Sequence, residues 1–230
     1  MRLPRSPTRS RPRSSPSQEG TDPRRAAGAG PTGPTLDTMT RMSARDRILD
    51  SFEAILTSEG ERAATLDAVA ASAEVSKGGL LYHFPNRESL VAGLLDRLRT
   101  LADGDVAAMS AAPEGPALYY VASSRNTGSP FDRALIAASR LGWEKHPEAS
   151  ETIRSIQRRW LGLIRAEVGD EGVTQAIMLL GDGLYYNAAF GGEGFAEPGS
   201  YPLAELLEVV RRLIATAPVR PGPPTPPAED

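Results

Sequence analysis

From Ser43 onward, apolar residues recur at three- and four-residue intervals, the spacing of one face of an α-helix. Ile48, Leu49, Phe52, Ile55 and Leu56 form the first stripe, opened by a Ser43/Asp46 capping pair and closed at Gly60. A second, short helix follows Thr65 and carries Leu66, Val69, Ala70 and Ala73. A third opens at Ser76 and runs about two turns to Phe84. Pro85-Asn86 breaks it, and Asn86 is a suitable N-cap for a long fourth helix holding Leu90, Leu94, Leu95, Leu98 and Leu101. Further helices are expected over 116–124, 131–145, 147–168, 171–191 and 202–217, with connections rich in Gly and Pro. No segment shows strand alternation and no repeat is present, so the pattern is that of an all-α protein.

The two ends lack this periodicity. Residues 1–40 are Arg, Pro, Ser, Gly and Thr with almost no aliphatic content, too little apolar surface to offset chain entropy, so a disordered basic extension is expected. No apolar core follows its arginines, which argues against a signal peptide. Met39 and Met42, just before the first helix, are alternative starts, in which case this segment is not native. Residues 218–230 are Pro-rich and expected to be a loose tail. Between them the pattern divides into a helix-turn-helix unit over 41–87 and a larger helical domain over 88–217.

Composition narrows the chemistry. With 40% hydrophobic residues the chain can bury a sizeable core, and without cysteine it has no disulfides, thiolate metal sites or cysteine nucleophiles, as suits a cytoplasmic protein. No apolar run is long enough to span a bilayer. The net charge of −3 argues at first against nucleic acid. Its distribution matters more. Residues 1–40 hold seven arginines against three acids, a local +4, which leaves −7 on the remainder. A nucleic-acid-binding body of this charge must place its few cations locally.

The segment Thr65–Leu90 has the form needed for that: two short helices with a tight connection, the second amphipathic and followed by a break. Leu80 and Phe84 face a core, while Lys77, Gly78 and Gly79 lie at the N-terminal end of the third helix, the end that reaches base edges in a major groove. Lys77 can donate to guanine or to phosphate. Gly78 and Gly79 each sacrifice about 1 kcal/mol of helix propensity relative to alanine, which makes sense where backbone must approach closely. Tyr82 and His83 offer donors to flanking phosphates. Arg87 is a cation at a helix N-terminus, against the dipole, and an anion held there would explain it.

The run AEVSKGGLLYHFPNRESL resembles the helix-turn-helix of the TetR family of transcriptional regulators, over about 45 residues. The resemblance implies base contacts from Lys77, Gly78 and Gly79 and phosphate contacts from Thr65, Tyr82, His83 and Arg87. It also implies a double-stranded operator, a homodimer, a small-molecule effector held by the later helices, and repression as the usual mode, with no cofactor. Three positions differ from the family pattern. Glu74 replaces the usual turn glycine, so the turn is expected either to differ slightly or to be reached without a positive φ. Leu81 replaces a common tyrosine, and Arg87 a commoner lysine.

The later helices fit these implications. Residues 171–191 are apolar around most of their circumference and interrupted by Gly181, Gly183, Ala188 and Ala189, and 202–217 offers a matching stripe, so that two helices from each subunit can form a four-helix interface. Tyr119, Tyr120, Trp143, Trp160, Asp182, Tyr185 and Tyr186 are candidates to line a pocket for a mostly apolar ligand. Asp182, between two glycines in an apolar helix, is a polar anchor or part of a bend. Arg158 and Arg159 read as a solvated face. Two other functions fit the sequence less well. A helical enzyme lacks a metal-ligand cluster, a phosphate loop or a defensible carboxylate pair. A nucleic-acid-binding protein acting through the Arg/Ser-rich tail is disfavoured by a body with only two lysines.

Overall fold

The computed structural model describes residues 43–125, 128–190 and 202–217, all of which lie in helices or their connections. The disordered extension expected over 1–40 and the loose tail expected over 218–230 therefore lie outside the described residues. In chain order the helices are α1 (Ala44–Ser58), α2 (Leu66–Ser72), α3 (Lys77–His83), α4 (Arg87–Ser110), α5 (Pro116–Ser123), α6 (Pro130–Ser139), α7 (Pro147–Val168), α8 (Glu171–Phe190) and α9 (Leu203–Thr216).

Local chemistry sets the boundaries of the first four. Ser43, Thr65, Ser76 and Asn86 each accept a hydrogen bond from the backbone N–H three residues on, which satisfies one of the free donors of a helix start. Asn86 and Ser89 complete a reciprocal capping box. α1 ends on Gly60 at φ +85, whose N–H donates to the Ile55 carbonyl.

One core runs through the molecule, from Ile48 and Phe52 in α1 to Val210 in α9. Leu80 and Phe84 anchor α3 to it. Gly93 lets α4 lie against Phe84, since a Cβ there would stand 2.6 Å from the ring. α4 and α6 form the spine: α6 packs on both α1 and α4, and α7 on α4, α5 and α8.

Two expectations are corrected. α6 ends at Ser139, not near 145. Its extension is cut off because the Gly142 N–H donates to Glu61 Oε2 at 2.9 Å and His146 Nε2 lies 3.5 Å from Glu61 Oε1, so this connection is held by the α1–α2 loop. The Gly142 N–H, with Lys145, His146 and Arg87, keeps the Glu61 carboxyl below its usual range.

The second correction concerns the turn between α2 and α3. Glu74 takes φ +53 and is the one non-glycine among the described residues at positive φ. Its N–H donates to the Ala71 carbonyl and that of Val75 to Ala70, the paired closure that requires a left-handed residue. The turn thus keeps the glycine conformation with a glutamate in it. A left-handed L-residue costs about 1–2 kcal/mol, partly offset in glycine by its freer unfolded chain. Glu74→Gly is expected to stabilise the protein by about 0.5–1 kcal/mol, read as a rise in Tm by circular dichroism. A fall in Tm would show that the glutamate side chain holds the turn.

Candidate functional site

The first candidate site is the exposed side of α3. Its buried side is Leu80, Phe84 beyond the helix end, and the partly buried Val75 before it. That fixes the helix so that Lys77, Gly78, Leu81 and Tyr82 face outward, Tyr82 being 84% exposed. A Cβ on Gly78 would meet nothing within 4 Å, so the glycine is not required by the fold. Gly79 is different: a Cβ would lie 3.2 Å from Ser76 Oγ, which accepts the Gly79 N–H at 3.0 Å, so this glycine gives room to the cap. Thr65, the N-cap of α2, is exposed on the same unit, and His83 lies edge-on to Tyr82 with centroids 5.1 Å apart.

The cations here are few. Lys77 Nζ is 2.9 Å from Asp67 Oδ1, an exposed pair of little strength that a phosphate or a base edge can replace. Arg87 is turned inward. It donates to the Ala64 carbonyl, to the Glu61 carbonyl at 2.9 Å, and lies over the Phe52 ring. Its placement at a helix start is thus met by carbonyls of the α1–α2 loop. Residues 43–87 carry five cations against seven carboxylates. Three of those acids, Asp46, Asp50 and Glu53, are gathered by Arg97 of α4.

The second site is a cavity of about 380 Å³ in the helical body, walled by α4, α5, α6, α7 and α8. Of the seven residues singled out in the sequence, Tyr119, Tyr120, Trp160, Asp182 and Tyr185 line it. Trp143 and Tyr186 do not. Trp143 is 64% exposed in the α6–α7 connection and Tyr186 is 54% exposed on the outer side of α8. The cavity also takes Phe131, Asp105 and Asp132 as walls, which periodicity did not single out. Asp105 was findable: it lies four residues from both Leu101 and Met109, a carboxylate on an apolar helical stripe.

The oddity of Asp182 is resolved by its neighbour. A Cβ on Gly181 would stand 2.3 Å from Tyr120 Cε1. The glycine lets the Tyr120 ring lie on α8, where its hydroxyl donates to Asp182 Oδ1 at 2.6 Å. Gly181 therefore serves an intramolecular contact and not an approach between subunits. Burial, reinforced by the Asp182 charge, holds the Tyr120 hydroxyl well above its ordinary pKa. Beside it Trp160 Nε1 donates to Asp105 Oδ2 at 2.8 Å, and burial raises the Asp105 carboxyl.

Two short helices joined by a tight turn, on a helical body with a walled cavity, define a helix-turn-helix protein. Residues 48–94 match the tetR family of bacterial regulatory proteins. Over these residues the head is similar to that family's N-terminal domain. Two solved structures share the fold, each with a TM-score of 0.51. SCO7518 from Streptomyces coelicolor A3(2), described as a transcriptional regulator, is 22% identical over 75% of this chain and 99% of its own. The multidrug-binding protein EbrR, complexed with malachite green, is 21% identical over 76% of this chain and 98% of its own. A comparison with curated proteins found no match. Among the described residues no helix is long and apolar enough to cross a membrane.

Proposed function

We propose that the protein is a homodimeric repressor that places α3 of each subunit in the major groove of a palindromic operator and leaves it when a small molecule fills the cavity. The observation that carries this reading is the outward side of α3. Lys77 and Gly78 are exposed at its N-terminal end and Tyr82 at its other end, and Gly78 is needed by nothing in the fold. Lys77, Gly78 and Gly79 contact bases in this arrangement, and Thr65, Tyr82 and His83 the flanking phosphates. Arg87 joins them through the N–H groups left over from its two carbonyl bonds, and holds the loop that precedes α2.

The dimer forms through α8 and α9, where Leu179, Tyr186 and Val209 are exposed at 71%, 54% and 37%. Coupling runs through α6. Asp132, Leu135 and Ile136 of that helix wall the cavity, the helix packs on α1, and the connection after it is held by Glu61. An occupant that prefers one position of α6 biases the spacing of the two heads, a shift between two populations.

Two substitutions test the reading face by fluorescence anisotropy on duplexes selected by the protein. Lys77→Ala relaxes preference at one base pair per half-site, a loss of about 1–3 kcal/mol of discrimination. Tyr82→Phe weakens all duplexes alike and leaves the salt dependence unchanged, because it removes a neutral donor and not a charge. If both variants bind the selected duplex as the parent does, the proposed contacts are wrong.

A further inference from the structure

Asp105 of α4, Asp132 of α6 and Asp182 of α8 line the same cavity, and no Lys, Arg or His lines it with them. Every donor they meet is neutral. Asp105 accepts from Trp160 Nε1 at 2.8 Å and Tyr119 Oη at 3.4 Å, and Asp182 from Tyr120 Oη at 2.6 Å. Asp132, 7% exposed, accepts from the Ser129 N–H at 3.0 Å and its hydroxyl at 2.6 Å. Among the described residues none of the three is in an ion pair. Arg159 is near enough to act on Asp105, but its guanidinium is bound to Asp103 at 2.8 Å on the surface.

Carboxylates drawn into a largely apolar chamber without a counter-charge are unfavourable until a cation reaches them. A metal ion does not fit, since no group of three acidic side chains among the described residues is placed to hold one. The charge is spread over three walls, so its complement is an extended body. The remaining walls suit such a body. Trp160 lies between Tyr120 and Phe131, with centroids 5.6 and 5.9 Å away, and these rings offer both apolar area and faces that attract positive charge. The Tyr185 hydroxyl is buried at the same wall beside Asp132.

We propose that the cavity takes a lipophilic organic cation, an ammonium or comparable centre carried on an aromatic body. Its charge rests among Asp105, Asp132 and Asp182, and its rings pack on Tyr120, Phe131 and Trp160. The assignment rests on reading this cavity as the effector site and specifies the class of effector.

The test uses the full chain and two ions of the same shape and opposite charge, tetraphenylphosphonium and tetraphenylborate, with the flatter cation ethidium as a second shape. Affinities are measured by calorimetry. The cations bind at least a hundredfold tighter than the anion. Asp105→Asn with Asp182→Asn, which keeps size and one acceptor oxygen at each position, weakens cation binding at least tenfold while ligand-free duplex affinity stays as in the parent. Equal binding of the borate, unchanged cation binding by the double variant, or failure of both cations to bind overturns the proposal. The charge comparison needs no variant and stands if the double variant folds poorly. Cation binding that leaves duplex affinity unaltered upholds the ligand class and contradicts the effector reading.

Discussion

Gly78→Leu raises the melting temperature and lowers affinity for the selected duplex by about a hundredfold or more. The two halves of this result have separate causes. Gly78 is the second residue of α3, with nothing within 4 Å of its missing Cβ, so a leucine enters without a clash. Replacing glycine inside a helix with a good helix former contributes about 0.5–1 kcal/mol of stability. In a major groove the same side chain occupies the clearance that lets the backbone reach the base edges. A hundredfold loss corresponds to about 2.8 kcal/mol, within the reach of one steric block at the centre of an interface. Differential scanning calorimetry with anisotropy measures both. A variant that is more stable and binds duplex as well as the parent would remove α3 from the interface.

Arg97→Ala destabilises the protein by about 3 kcal/mol, at the low end of what breaking a buried ion network costs. Arg97, on α4, reaches Asp50, Glu53 at 3.0 Å and Asp46 at 3.1 Å on α1, and so fastens the first helix of the head to the first helix of the body. Asp46 and Asp50 are exposed enough to be rehydrated; the Glu53 side chain is only 5% exposed. Burial already raises the Glu53 carboxyl, and Arg97 pulls it back down. A carboxyl whose folded pKa lies above its unfolded value favours the folded state at low pH and loses that advantage as pH rises through the folded pKa. Removing Arg97 raises Glu53 further, so the deficit of the variant is largest at neutral pH and narrows as pH falls toward the carboxylate range. Urea unfolding of parent and variant at both pH values reads it. A deficit independent of pH would place the cost in lost packing of the arginine stem.

The head was legible in the sequence because its signals are local. A serine, threonine or asparagine caps its own helix through a neighbour three residues on, so Ser43, Thr65, Ser76 and Asn86 marked four helix starts correctly. What failed was decided across the chain. The end of α6 is set by Glu61, 81 residues away from Gly142, and no periodicity reports that. Glu74 conflicted with its turn by local preference, yet the hydrogen bonds closing α2 impose the positive φ. In the body, an aromatic residue has the same spacing whether it faces a cavity or solvent. That is why Tyr120 and Trp160 proved to be walls while Trp143 lies outside. Asp132 was hidden by its ordinary use in the capping box of α6, whereas Asp105 showed only as a carboxylate on the stripe between Leu101 and Met109.

In the proposed function this head reads a DNA sequence through α3. Selection from a pool of duplexes with a randomised core, sequenced after recovery by the parent protein and by Gly78→Leu, tests it most directly. The parent is expected to enrich a palindrome whose half-sites lie about one helical turn apart, and Gly78→Leu to enrich nothing. Recovery without enrichment by the parent, or enrichment of the same palindrome by both proteins, would contradict the claim.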